Sequence, residues 1–199
     1  MIDSSEVAAI LLAAGQSSRF VGGNKLLADL HGQPLVLYAA QRIVALDTGR
    51  RIAVCGPEVG EVLAPLGFEI VAMPEPPVGM ARSLALAVAE VGSKYRAALV
   101  CLGDMPFVRL AHLKALLAKF DADQCPLVSS IDGEIAMPPA IFAAGYFTRL
   151  REGGGDQGAR SLLAGAAHLA ARAGELSDID TIAELSAGRN GDGLAIDLQ

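Results

Sequence analysis

The sequence predicts an α/β domain built on a mostly parallel sheet, and three observations predict it. Short apolar runs alternate with segments of helical periodicity, the pattern left by repeated strand–helix–strand units. One run, Ala97 to Leu102, is apolar without interruption, as expected of a central strand covered on both faces. The chain has 199 residues, 52% of them hydrophobic. A single domain of that size buries roughly 70% of the surface its unfolded chain exposes, so it needs no disulfide or metal to fold.

Taken in order, the first strand is Val7 to Ala14, followed by a glycine-rich loop. Gly32-Gln33-Pro34 then introduces a helix over Leu35 to Leu46, with Pro34 near its start. Arg51 to Cys55 is the second strand, closed by Gly56-Pro57, and Gly67 to Met73 is the third. Pro74, Pro76 and Pro77 force an extended loop before a helix over Gly79 to Val91. The central strand Ala97 to Leu102 ends abruptly at Gly103-Asp104-Met105-Pro106. A helix over Leu110 to Phe120 and a strand over Pro126 to Ser130 come next.

The pattern loosens after Asp132. "MPPAIF" reads as a proline-stiffened extended segment, and "AGYFTRL" and "GARSLLAGAA" as short helices around "EGGGD". A strand near His168 to Arg172 and a helix over Thr181 to Ala187 complete a domain spanning 1–187, leaving 188–199 as a flexible tail.

Composition narrows function. Sixteen lysines and arginines stand against 22 acids, a net charge of −6. A nucleic-acid surface needs clustered cations, so no nucleic-acid partner is expected. Cys55, Cys101 and Cys125 form no C-x-x-C pair and read as small buried hydrophobes; His31, His112 and His168 stand at no metal-ligand spacing. Neither a signal peptide nor an apolar run of membrane-spanning length is seen, so a cytoplasmic location and no membrane partner are expected.

The most informative stretch is "LLAAGQSSRFVGGNKLL", Leu11 to Leu27. It lies at the carboxyl end of the first strand, where ligands of open α/β sheets bind. Its glycines let the main chain turn amides toward an anion, while Arg19 offers a planar fork and Lys25 a mobile point charge. With no acid in the stretch, a polyphosphate is the natural target. The lysine here is followed by Leu26, so the stretch is not a P-loop, and the dinucleotide fingerprint G-x-G-x-x-G is also missing. A soluble, functionless loop is the bland alternative.

The stretch resembles the nucleotidyltransferase signature L-A-A-G-x-S-x-R-x-G-x-x-K. Downstream, "VGMARSLALAV", "LGDMP", "MPPAIF", "GDQGARSLL" and "SDIDTIAEL" follow in the order of the molybdenum cofactor cytidylyltransferase branch, related to the guanylyltransferases. Three positions depart from that pattern. Arg19 and Lys25 are six apart instead of five, as if Val21 were inserted; Met137 replaces a common glycine, and Ile182 a usual proline.

The resemblance implies a three-layer αβα, Rossmann-like nucleotidyltransferase fold of the nucleotide-diphospho-sugar transferase type. It also implies Mg²⁺-dependent attack of a molybdopterin-type phosphate on a nucleoside triphosphate, CTP favoured, with pyrophosphate released. Lys25 would meet the α-phosphate and Arg19 the β- and γ-phosphates. Asp104, at the end of the central strand, suits Mg²⁺ on its own chemistry, since that ion prefers carboxylate and phosphate oxygens. By resemblance Asp180 is the second ligand, with Asp178 as alternate. A turn aspartate and a helix N-cap are the bland readings of Asp104 and Asp180. Base and ribose would rest on Ala13, Ala14, Gly15 and Gly79, with Ser83 nearby, and the acceptor on Pro138, Pro139, Asp156 and Arg160. GTP or a sugar-phosphate acceptor is the nearest rival, and a noncatalytic binding partner of a molybdoenzyme is the rival of another class.

Overall fold

The computed structural model describes residues 2–15, 20, 23–73, 79–152 and 161–190. Its architecture follows from β1 (Val7–Ala13), whose seven residues are all buried. Val7, Ala9, Leu11 and Ala13 enter one core, and Ala8, Ile10 and Leu12 enter another on the opposite face. A strand apolar on both faces must be covered on both, because each large aliphatic side chain so buried contributes about 1.5–3 kcal/mol.

Two short strands follow, β2 (Asp29–Leu30) and β3 (Gln33–Pro34), paired antiparallel across His31 and Gly32. Both turn residues have positive φ, 51° and 88°, as a two-residue hairpin loop of the right twist requires. The expected helix follows directly, with Pro34 near its start. Pro34 belongs to β3, and α1 spans Val36–Ala45. The Tyr38 hydroxyl of α1 donates to the Leu30 carbonyl at 2.6 Å, pinning the hairpin to the helix.

β4 (Arg50–Cys55) leads into α2 (Pro57–Leu63), which the sequence reading passed over; Gly56 caps it and Pro57 fits its first turn. Then come β5 (Glu69–Ala72), α3 (Met80–Glu90), β6 (Ala97–Leu102) and α4 (Leu110–Lys119). β7 (Leu127–Asp132) and β8 (Ile135–Ala143) form a hairpin, followed by α5 (Phe147–Arg151) and β9 (Ala167–Ala170). Residues 161–164 are helical. The last helix, α6, spans Ile182–Asn190 and so runs three residues past the expected end at Ala187. Gly188 sits against Phe107 and Leu30, and His31 bonds its carbonyl at 2.9 Å, which ties that end down.

Seven strands make one sheet in the order β5-β4-β1-β6-β8-β7-β9, parallel except for β8, which pairs antiparallel with β6 and β7. α1, α2, α4 and α6 cover one face; α3, α5, Leu162 and Leu163 cover the other. The three-layer expectation holds, and β6 takes the middle place predicted for it. Short helices stand where they were read, over Phe147–Arg151 and 161–164, and "MPPAIF" is extended as expected, lying in a nine-residue strand between β6 and β7. Its prolines are accommodated by a register shift. Ser129 faces Ala140, but Ser130 faces Met137, so Pro138 and Pro139 drop out of the ladder they cannot donate to.

Candidate active site

The parallel strands deliver their carboxyl ends to one edge of the sheet. There β1 ends at Ala13, with Ala14 and Gly15 following, and β6 ends beside it at Leu102. The Gly103 amide bonds the Leu12 carbonyl at 2.9 Å. A Cβ on Gly103 would stand 3.2 Å from both Ala13 Cβ and Val36 Cγ2, so glycine lets the two strand ends close up and directs Asp104 outward.

Lys25 reaches the same place from a turn of 3-10 helix over Lys25–Leu27. Asn24 caps that turn, its side chain accepting from the Leu26 amide, and Leu26 is buried beneath it. The Lys25 Nζ donates to Asp104 Oδ2 at 2.8 Å and to Asp180 Oδ1 at 2.5 Å. Its side chain is only 6% exposed, whereas those of Asp104 and Asp180 are 23% and 35% exposed. Burial alone would depress the ammonium's pKa, but the bonds to Asp104 and Asp180 and their charges outweigh it, and the pKa rises. Lys25 is therefore a fixed positive charge at neutral pH.

Asp180 arrives from the far end of the chain through Ile179. That residue is fully buried and its amide bonds the Asp104 carbonyl at 3.0 Å, so the aspartates on either side of it flank Asp104. Carboxylate oxygens of Asp104, Asp178 and Asp180 all lie within 4.8 Å of one another. Desolvation, with the repulsion of Asp104 and Asp180, pushes the Asp178 carboxyl above its ordinary value. Among the described residues, one ammonium stands against three carboxylates. An oxygen-only donor set of carboxylates is what a small divalent cation such as Mg²⁺ prefers, and a cationic nitrogen already stands against it.

The N-cap reading of Asp180 is corrected. Thr181 caps α6, its Oγ1 accepting from the Glu184 amide at 3.2 Å, while Glu184 accepts from the Asp180 and Thr181 amides at 2.7 and 2.8 Å. This capping box spares the Asp180 carboxylate for Lys25. The signal was present in the sequence as Thr181-x-x-Glu184.

The other candidates distribute around this centre. Gly79 caps α3, and Ser83 is buried on its first turn with its hydroxyl 3.9 Å from the Met73 sulfur, beside the carboxyl ends of β4 and β5. Pro138 and Pro139, joined by a cis peptide, lie level with the end of β6, since Ala140 stands opposite Val100 in the antiparallel pair. Pro139 shares a narrow pocket with Cys101, Leu102 and Met105. Its carbonyl accepts from the Ser130 hydroxyl at 2.7 Å, and Ser130 Oγ lies 2.8 Å from His112 Nε2. Ser130 has one proton and spends it on Pro139, so the His112 Nε2–H is the donor. Arg19, Val21, Asp156 and Arg160 lie outside the described residues. Cys55 and Cys101 are buried thiols that desolvation pushes up to about 11 and about 12, as inert packing residues should be; Cys125 is half-buried.

Sequence reasoning missed the pair that holds the Asp178–Asp180 segment. Glu175, 2% exposed, accepts from the Arg109 amide, Nε and Nη2 and from the Arg172 amide, all at 2.9–3.1 Å. This joins the start of α4 to the connection between β9 and Asp178. No local spacing announces two partners 66 residues apart.

Among the described residues no helix is long and apolar enough to cross a membrane. The chain is 29% identical over 137 residues to the bifunctional protein GlmU of Sphingopyxis alaskensis, covering 68% of this chain and 30% of that protein. It is 30% identical over 112 residues to a probable molybdenum cofactor guanylyltransferase of Thermococcus sibiricus, covering 56% of this chain and 54% of the other. It spans less than a third of the length of the GlmU relatives it matches. In structure it is similar to a nucleotidyl transferase from Methanothermobacter thermautotroptrophicus, with a TM-score of 0.79 at 22% identity over 92% of this chain and 96% of that one. The fold is thus the α/β nucleotidyltransferase fold. The model of the MobA-like NTP transferase domain matches residues 9–173, the stretch that carries both strand ends and Lys25 with Asp104, and the chain belongs to that family.

Proposed function

We propose that the protein transfers a nucleotidyl group from a nucleoside triphosphate, CTP by preference, to the terminal phosphate of a molybdopterin-type acceptor. The acceptor oxygen forms the new bond to the α-phosphorus as the bond to the departing pyrophosphate breaks. The observation that carries this reading is the Lys25 ammonium set between Asp104 and Asp180 at the carboxyl ends of β1 and β6. Two anions must meet in such a reaction, so the protein's task is positioning and charge neutralisation. Asp104 and Asp180, with Asp178 beside them, would hold Mg²⁺, which when bound neutralises phosphate charge.

Lys25 would stabilise charge growing at the α-phosphate, and Arg19 would take the pyrophosphate. Ala13, Ala14 and Gly15 offer backbone to base and ribose; a Cβ on Gly15 would meet nothing within 4 Å. Gly79 and Ser83 stand at the same edge of the sheet. Pro138 and Pro139, with Asp156 and Arg160, would form the acceptor side, and a molybdoenzyme would receive the product. A cytoplasmic location fits that role.

The motifs "PPAIF" and "GDQGAR" support CTP. GTP is the second reading, favoured by relatives named as molybdenum cofactor guanylyltransferases. The test is a panel of the four ribonucleoside triphosphates with Mg²⁺ and molybdopterin, scored by pyrophosphate release. CTP should give the fastest acceptor-dependent release. A GTP maximum would move the assignment to guanylyl transfer, and no release with any triphosphate would overturn the enzyme reading in favour of a noncatalytic partner.

A further inference from the structure

One ammonium cannot both pair with the aspartates and meet the phosphate that the proposed function assigns to Lys25. Its Nζ lies 2.8 Å from Asp104 Oδ2 and 2.5 Å from Asp180 Oδ1. A divalent cation on those oxygens would sit about 2.0–2.1 Å from each, in the space the ammonium occupies. Two positive centres on the same pair of oxygens repel, and at such separations that repulsion is worth several kcal/mol even at surface-like screening. In the structure Lys25 holds that place.

The surrounding residues make this occupancy firm but reversible. The backbone of Lys25 is fixed by the Asn24 cap and the buried Leu26, while the ammonium rides on a flexible four-carbon stem. The two aspartates are equally fixed, Asp104 by the Gly103 amide bond and Asp180 by Ile179 and the capping box of Thr181 and Glu184. What can move is the tip of the lysine.

We infer that Lys25 is a specificity-determining counter-ion. It holds the Asp104–Asp180 pair closed to divalent cations until a polyphosphate draws the ammonium away. The carboxylates then bind metal well only together with a triphosphate, so the two enter as partners and neither enters productively alone. This deepens the proposed function and rests on it for the identity of the polyphosphate. The exchange at the carboxylates can be tested without turnover.

The experiment is Mn²⁺ binding, followed by the free-ion paramagnetic resonance signal, for the wild-type chain and for Lys25→Met and Lys25→Gln without nucleotide. Both variants should bind Mn²⁺ about tenfold more tightly than wild type or better, since each removes the competing charge. The Gln variant keeps a neutral N–H donor on the side chain, so it covers a folding defect in the Met variant. Adding the α,β-methylene analogue of CTP or GTP should tighten Mn²⁺ binding markedly more in wild type than in either variant. Asp104→Asn in the Lys25→Met background should abolish the gain, which places the ion on this cluster. Equal or weaker nucleotide-free Mn²⁺ binding in both variants overturns the exchange, as does a gain that survives Asp104→Asn. Neither result touches the transfer reaction, which is read separately by pyrophosphate release.

Discussion

Two acidic centres lie a few residues apart on the same stretch of chain, and they are held in opposite ways. Glu175 is buried, and its two oxygens accept four hydrogen bonds, two from the Arg109 side chain and two from backbone amides. Burial alone would raise its pKa, but Arg109 and the amides outweigh it and the carboxyl is held below its ordinary value. The Asp104, Asp178 and Asp180 cluster instead shares the ammonium of Lys25 at a half-exposed edge. A charge fully matched by the protein is doing a structural job. A carboxylate cluster at a solvent-facing edge, on rigid backbone, is open to something that arrives from outside.

The contrast breaks most sharply at Glu175. Glu175→Ala leaves the Arg109 guanidinium and two amides without their acceptor, and breaking such a buried pair costs about 3–5 kcal/mol. Urea denaturation should show that loss, with Glu175→Gln recovering part of it because an amide oxygen still accepts. A loss below about 1 kcal/mol would place the pair among ordinary surface contacts. Lys25→Ala should behave in the reverse manner. Turnover should fall by about 10²–10³, the cost of one preorganised donor, with a smaller stability change than at Glu175 because the released carboxylates face solvent. Near-normal turnover at saturating Mg²⁺ would remove Lys25 from the reaction.

The same contrast explains what was legible in the sequence. The strands β1 and β6 were readable because burial on both faces leaves an unbroken apolar run. That Lys25 and Asp104 meet at one edge was legible because both lie at the carboxyl ends of strands, and the resemblance pointed to Asp180 beside them. Glu175 with Arg109, and His112 with Ser130, were not, because each pair is made by tertiary approach of ordinary-looking residues. β8 was read only as extended, since nothing local shows that its prolines join a sheet until the register shift opposite Ser130 shows how the sheet admits them. The Thr181 cap was legible and overlooked, Asp180 having drawn attention one residue too early.

The smallest effect tests whether the matched region extends beyond Glu175. His112 is buried, donates its Nε2–H to Ser130, and through Ser130 supports the Pro139 carbonyl. Desolvation lowers its pKa below the ordinary 6.5, with Glu175 pulling it up and Arg109 pushing it down. The unfolded chain therefore takes up this proton before the folded one does. Stability from neutral His112 is complete above pH 6.5 and is lost as pH falls through 6.5 toward the folded value, with a slope of at most about 1.4 kcal/mol per pH unit. Melting temperatures between pH 8 and 5 should fall more steeply for wild type than for His112→Gln, which keeps a donor but cannot titrate. In Glu175→Ala the carboxylate no longer favours the protonated ring, so the folded pKa drops further and the loss continues to lower pH. Parallel profiles for wild type and His112→Gln would show that the ring takes its proton as readily when folded as when unfolded, and the structural region would then end at Glu175.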